Sequence, residues 1–224
     1  RGAERAAMVV RFWGTRGSLP VALTTPDLQR KLVAALVLAA GRGIDTPDKA
    51  RAFVARDLDF PVSHTFGGNT SCVQLETGGG EYVVCDVGSG ARAFGNHVQA
   101  TRGPSGHRFH IFMSHVHWDH IMGFPFFMPA YTPGNELLIY GCHSMLEGAF
   151  RPQNAAPSFP VDFSRMGARI RFVTLEPGRV YEIAGLTVRA KRQRHSGEWY
   201  GYRFERDGKV VVYSTDSEHK QDDP

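Results

Sequence analysis

The sequence predicts an α/β protein with layered sheets, and three observations carry that expectation. Short β-rich segments and helical segments are mixed along the chain rather than segregated into halves. The second half holds a series of strand-like runs, the last two joined by Asp207-Gly208, a strong hairpin dipeptide. The 224 residues, 42% hydrophobic and 21% charged, are enough to bury a sizeable core and fit one domain, residues 1–224, better than two. No internal repeat, low-complexity stretch or linker interrupts the chain.

Residues 1–7 carry no signal of structure and read as tag or leader. Residues 8–13 are β-rich and predict a strand, followed by a turn or loop, Gly14-Thr15-Arg16-Gly17-Ser18-Leu19-Pro20. Thr25-Pro26 reads as an N-cap with proline at the first helical position, so a helix is predicted from there to about Gly41. Thr46-Pro47 starts a second in the same way, to about Leu58. The two form a helical hairpin over about 25–58. Within it the apolar run 32–40, bounded by Lys31 and Arg42, is too short to cross a bilayer and reads as a core helix. Residues 71–77 and 81–86 predict a strand pair across Gly78-Gly79-Gly80, and 88–100 a helix. Residues 109–114 predict a short buried strand, 136–140 another, and 144–150 a helix. Strands are predicted at 169–175, 186–194, 200–206 and 209–215.

Composition bounds the function classes. Lys and Arg total 26 against 22 Asp and Glu, a net charge of +4, which favours anionic partners without naming one. A dedicated nucleic-acid binder concentrates charge more strongly. The three cysteines, Cys72, Cys85 and Cys142, are odd in number and widely spaced, which argues against a disulfide framework and for a reducing, cytoplasmic setting. There is no CxxC pair to make a thiolate zinc site. No signal peptide is visible and no membrane segment is expected.

The chemistry concentrates in Ser114-His115-Val116-His117-Trp118-Asp119-His120. Imidazole and carboxylate are the ligand set of zinc and similar divalent ions. His115 and His117 are two apart, so on extended backbone they face the same side. Asp119 and His120 need a turn to join them. A buried strand ending in a loop that opens into a helix supplies that geometry, and Gly123 fits it. His195 ends a strand and is followed by Ser196-Gly197, a tight exposed loop; its own residues leave a surface histidine and a metal ligand equally open. Asp216 lies just past the apolar strand 210–213, where a carboxylate must be solvated, paired or bound to metal. Asp86 follows an apolar strand in the same manner.

The pattern HxHxDH resembles the signature of the metallo-β-lactamase superfamily. The resemblance extends through Arg11–Ser18, Phe66–Cys72, Cys85–Gly90, Ser114–Phe127 and Tyr213–Asp216. These blocks are most similar to the branch of RNase Z-like and cyclic phosphodiesterase-like hydrolases. The resemblance implies an αββα sandwich, two mixed sheets between helical layers, in which the hairpin 25–58 is an insertion. It implies two divalent metal ions, zinc first, with manganese or iron accepted by the same ligands. His115, His117 and His195 would hold the first metal, Asp119 and His120 the second, and Asp216 would bridge both. Asp86 would lie behind the ligands and orient an imidazole; the reading without the family is a helix N-cap, and both are compatible.

The chain stops at Pro224, eight residues after Asp216, so the C-terminal part of the fold reads as short or missing. The late histidine that completes the second metal site in this branch has no obvious counterpart. His219 is a candidate, in a charged stretch. A truncated chain is the favoured explanation, ahead of a partner chain or an incomplete second site, and homo-oligomerisation would follow from exposed apolar surface.

The implied activity is hydrolysis of a small-molecule or nucleotide phosphodiester by a metal-bound hydroxide, with Asp119 as the catalytic residue orienting the nucleophile. Arg189, Lys191, Arg192 and Arg194 could draw in an anion, or be the solvated face of a strand. Phe124-Pro125-Phe126-Phe127 with Tyr131 could wall the pocket or stack a base, though core packing is the better reading for at least two of the phenylalanines. No substrate-binding residue is assigned. The alternatives are a lactone, thioester or β-lactam hydrolase of the same fold, and a non-catalytic metal-binding module. A diiron oxygen-reducing site ranks below both, because His117 stands where such relatives carry glutamate.

Overall fold

The computed structural model of the chain describes residues 8–194, 197–216 and 218. The chain divides into two compact units, Val21–Gly68 and a larger one built from Arg1–Pro20 with Asn69–Pro224. The smaller unit holds α1 (Thr25–Ala39), α2 (Pro47–Arg56) and the short α3 (Phe60–Ser63). The cap of α1 is Thr24, one residue before the expected position; its side chain and that of Asp27 close a capping box. Thr46 caps α2 as its sequence suggests, accepting from the Lys49 N–H.

The apolar run in α1 is not a core helix. None of its residues is buried, and Leu36 is 70% and Val37 69% exposed. Among the described residues the unit buries a single large hydrophobic side chain, Phe53. A run apolar on all sides carries no periodicity to say which face turns inward, and so short a unit has too little chain to cover it.

The larger unit is built on two sheets. β1 (Val9–Gly14), β2 (Cys72–Glu76), β3 (Tyr82–Cys85), β4 (Arg108–Phe112), β5 (Glu136–Gly141) and β6 (Arg169–Thr174) lie side by side in chain order. Pairing is antiparallel from β1 to β3 and parallel from β3 to β6, so this sheet is mixed. β7 (Val180–Ile183), β8 (Leu186–Arg192), β9 (Tyr200–Arg206) and β10 (Lys209–Tyr213) make the second sheet, ordered β10-β9-β8-β7. It is antiparallel throughout rather than mixed, because each of its strands is joined to the next without a crossover helix.

Period-two alternation sorts the core. In β4, Phe109 and Ile111 point toward a cluster with Val84, Phe94, Phe124 and Phe127, against α4 (Gly90–Arg102). Phe112 points the other way, into a cluster with Val83, Leu186, Val188, Tyr202 and Phe204 that fills the space between the sheets. A strand buried on both faces is expected at the centre of a parallel array. Each such side chain contributes roughly 1.5–3 kcal/mol on burial. Phe124 and Phe127 are thus core residues, while Phe126 is 52% exposed. The outward side of the second sheet carries exposed Arg189, Lys191, Arg203 and Val212. Of the two helical layers expected, the described residues build the one on the first sheet.

The loops that matter gather at the C-terminal edge of β3 and β4. There α5 (Trp118–Ile121) is a single turn drawn onto the segment after β3 by two backbone bonds, Val87 N–H to the His120 carbonyl (2.9 Å) and Gly123 N–H to the Val87 carbonyl (3.0 Å). A Cβ at Gly123 would sit 1.9 Å from the Gly88 carbonyl oxygen, so only glycine allows the approach.

Candidate metal centre

β4 delivers Met113, Ser114 and His115 past the sheet edge, and the backbone is pinned on both sides. Met113 N–H donates to the Tyr140 carbonyl (2.8 Å), and Tyr200 N–H donates to the Ser114 carbonyl (2.9 Å). His115 is buried and His117, in extended conformation, caps α5. The α5 turn then brings Asp119 and His120 round, both buried. The expected geometry of strand, loop and helix is therefore present.

Two donor groups result. His115, His117 and Asp119 offer ligand atoms that all lie within 4.8 Å of one another, and so do His115, His120 and Asp216. Asp216 arrives from the segment after β10, about a hundred residues away in sequence. Five of the six residues singled out as ligands thus converge. The sixth, His195, lies outside the described residues, as does His219. In this arrangement His115 is the member common to both groups, where the resemblance makes Asp216 the shared one.

Asp86 sits beneath the cluster, fully buried, with a backbone φ of 58°. Its Oδ1 accepts from Ser114 N–H (2.8 Å), and its Oδ2 is met by the Ser114 hydroxyl (2.6 Å), His120 Nδ1 (2.7 Å) and the Tyr213 hydroxyl (2.7 Å). It is not the cap of α4; that position is taken by Ser89. Burial opposes its charge, but His120 and the hydroxyl and imidazole donors outweigh burial and hold its pKa below the usual carboxylate range. For His120, burial lowers the pKa, yet the charge and hydrogen bond of Asp86 prevail and raise it. With Nδ1 committed to Asp86, the Nε2 of His120 faces Asp119, 3.5 Å from its Oδ2. His115 goes the other way: burial foremost, with His120 adjacent, brings its pKa down to about 3. It is neutral at pH 7, the form that donates a lone pair.

Three contributors were not legible in sequence. Trp199, 2% exposed, stacks its ring on His115 at 3.6 Å and presents it edge-on to His117 at 4.7 Å. The Ser18 N–H donates to Asp119 Oδ2 at 2.8 Å. His143 is buried beside Tyr200, with Nε2 3.2 Å from the Ser114 carbonyl. The only hint for Trp199 was a large aromatic in the loop after His195.

The donor set suits a divalent metal. His115 Nε2 is buried with no hydrogen-bond partner among the described residues, a costly state for a ring nitrogen unless it serves as a ligand. Imidazoles and carboxylates grouped with His115 are the residues that zinc and its neighbours accept.

Residues 82–223 match the family model described as "Beta-lactamase superfamily domain". A ribonuclease Z of Oenococcus oeni is 32% identical over 103 residues, which cover 42% of this chain and 30% of the relative. A ribonuclease Z of Limosilactobacillus fermentum is 33% identical over 99 residues, with the same coverage of 42% and 30%. The match therefore spans less than a third of the length of either relative. Among solved structures, the metallo-β-lactamase fold protein YhfI of Bacillus subtilis aligns with a TM-score of 0.52 at 18% identity, over 70% of this chain and 58% of that one. Human tRNase Z, short form, aligns with a TM-score of 0.50 at 16% identity, over 91% and 67%. At such identities the two structures show a shared fold.

Proposed function

The chain belongs to the beta-lactamase superfamily, and on that premise we propose that it is a metal-dependent hydrolase acting on phosphodiesters. The observation that carries the reading is the convergence of His115, His117, Asp119, His120 and Asp216 into two donor groups that share His115, whose Nε2 is buried without a hydrogen-bond partner among the described residues. The choice of phosphodiester over other bonds is supported by two sequence relatives, both named ribonuclease Z.

His115, His117, Asp119, His120 and Asp216, together with His195, would hold the divalent metal. Divalent ions bound there supply Lewis acidity toward a phosphoryl oxygen and lower the pKa of water to about 7. The chain's own groups do the positioning. Asp86 fixes the tautomer of His120 through Nδ1. Trp199 fixes the plane of His115 by stacking. Ser18 holds one carboxylate oxygen of Asp119, which leaves the other to orient a water and relay its proton. Proximity and fixed orientation of this kind account for much of an enzyme's rate.

Cytoplasmic location is part of the proposal. It rests on three free cysteines. Among the described residues no helix is long and apolar enough to cross a membrane.

The test is a substrate panel with the zinc-loaded chain: bis(p-nitrophenyl) phosphate, a p-nitrophenyl ester, a lactone and a chromogenic β-lactam. Turnover of the phosphodiester should exceed the others, and Asp119→Asn should lower it by about 10²-fold or more. Preference for the ester, lactone or β-lactam would replace this reading with another hydrolase of the fold. Zinc binding without turnover of any would leave a metal-binding module.

A further inference from the structure

The loop after β1 is anchored at its backbone. Thr15 and Arg16 N–H both donate to the Asn69 carbonyl (3.0 Å each), and Arg16 bridges to Thr70. Gly14 packs so closely on Thr70 that a Cβ there would lie 1.9 Å from its carbonyl oxygen. The Cα of Arg16 is therefore held in place, while its side chain is exposed. Its guanidinium makes no hydrogen bond or ion pair to any described residue.

Arg16 lines a cleft of about 310 Å³, together with Thr15, His120, Ser214, Thr215 and Asp216 among others. Two of these, His120 and Asp216, belong to the donor groups of the metal centre. The cleft is thus a second face of the same site. Its volume is at the small end of ligand pockets. Its lining pairs Arg16, held at its backbone, with the hydroxyl residues Thr15, Ser71, Tyr213, Ser214 and Thr215. An arginine held for structural reasons would be expected to pair with a carboxylate, and none engages it although Asp216 shares the cleft. A planar fork of five N–H donors matches the oxygens of a phosphoryl group.

We infer that this cleft is the anion subsite of the centre, with Arg16 as the residue that binds a non-bridging phosphate oxygen of the substrate. The inference rests on the phosphodiester reading above and names the residue that enforces it. Because Asp216 also faces the cleft, an anion is favoured there only when the donor groups carry their cations.

The test uses the zinc-loaded chain and inorganic phosphate, followed by calorimetry. Arg16→Ala should weaken phosphate binding about tenfold or more at unchanged zinc content, and Arg16→Lys should retain it better, as a charge without the fork. The KM for bis(p-nitrophenyl) phosphate should rise in parallel in Arg16→Ala, with hydrolysis of a neutral ester unaffected. Equal phosphate binding by wild type and Arg16→Ala would overturn the subsite, as would no phosphate binding by wild type. Loss of phosphate binding in Arg16→Ala, in a chain that cleaves no phosphodiester, would support the subsite and sink the substrate reading.

Discussion

Asp86 shows what a single residue contributes. It stands in the left-handed backbone region, which costs a non-glycine residue of order 1 kcal/mol or more. In return its carboxylate collects Ser114 and His120 from the segment after β4 and Tyr213 from the end of β10, two segments distant from it in sequence. Asp86→Asn keeps the shape but removes the charge that orients His120. Zinc affinity should fall about 10–100-fold, read by competition with a chromogenic chelator, while far-UV circular dichroism stays unchanged. Unchanged affinity would mean that His120 needs no such support. Ser18 is a similar case. Its φ is 62°, and the Leu19 N–H bonds back to the Gly17 carbonyl at 2.9 Å, a tight γ-turn of the rarer, strained hand. The strain falls where the Ser18 N–H meets Asp119.

At the scale of elements, His110 in β4 gives a pH dependence. Burial first, and Arg108 nearby, lower its pKa below 6.5, against the pull of Glu81 and Glu136. Glu81 lies 2.9 Å from Nε2, and the Tyr140 hydroxyl 3.0 Å from Nδ1. The unfolded chain takes up this proton at about pH 6.5, the folded chain only at lower pH. The stabilisation is complete above 6.5 and is lost as pH falls through the folded value. Urea midpoints should therefore decline from pH 7 to pH 5, and His110→Gln should flatten that decline by at most about one proton. An identical slope in the variant would remove His110 from the account.

Elements also show where sequence reading reaches its limit. The strands flanking Gly78-Gly79-Gly80 and Asp207-Gly208 were legible because the turn residues and the apolar alternation agree. β7 was not. Its hairpin to β8 turns at Ala184-Gly185, with φ of 52° and 70°, and alanine is no signal for a positive φ. The apolar run of α1 misled because hydrophobicity without periodicity is silent about burial.

For the whole molecule, the two-sheet α/β fold and most of the candidate ligands could be read from the chain, since His115, His117, Asp119 and His120 are local in sequence and their types announce their chemistry. Without the family resemblance, Asp216 was legible only as a carboxylate past an apolar strand. Trp199 and Ser18 act through contacts that exist once the second sheet and the β1 loop have closed on the first sheet, and no local pattern encodes such contacts. The fold explains the division of labour. The parallel strands project the ligands at one edge, the antiparallel sheet brings Trp199 and Asp216 to meet them, and the interleaved aromatic cores hold the two sheets in register.

The central claim is that this assembly exists to hold metal. Metal content of the purified, zinc-equilibrated chain, measured by mass spectrometry beside a His117→Ala variant, tests it most directly. The account predicts about two zinc ions per wild-type chain and a clear loss in the variant. No zinc in the wild-type chain, or equal content in the two proteins, would contradict it.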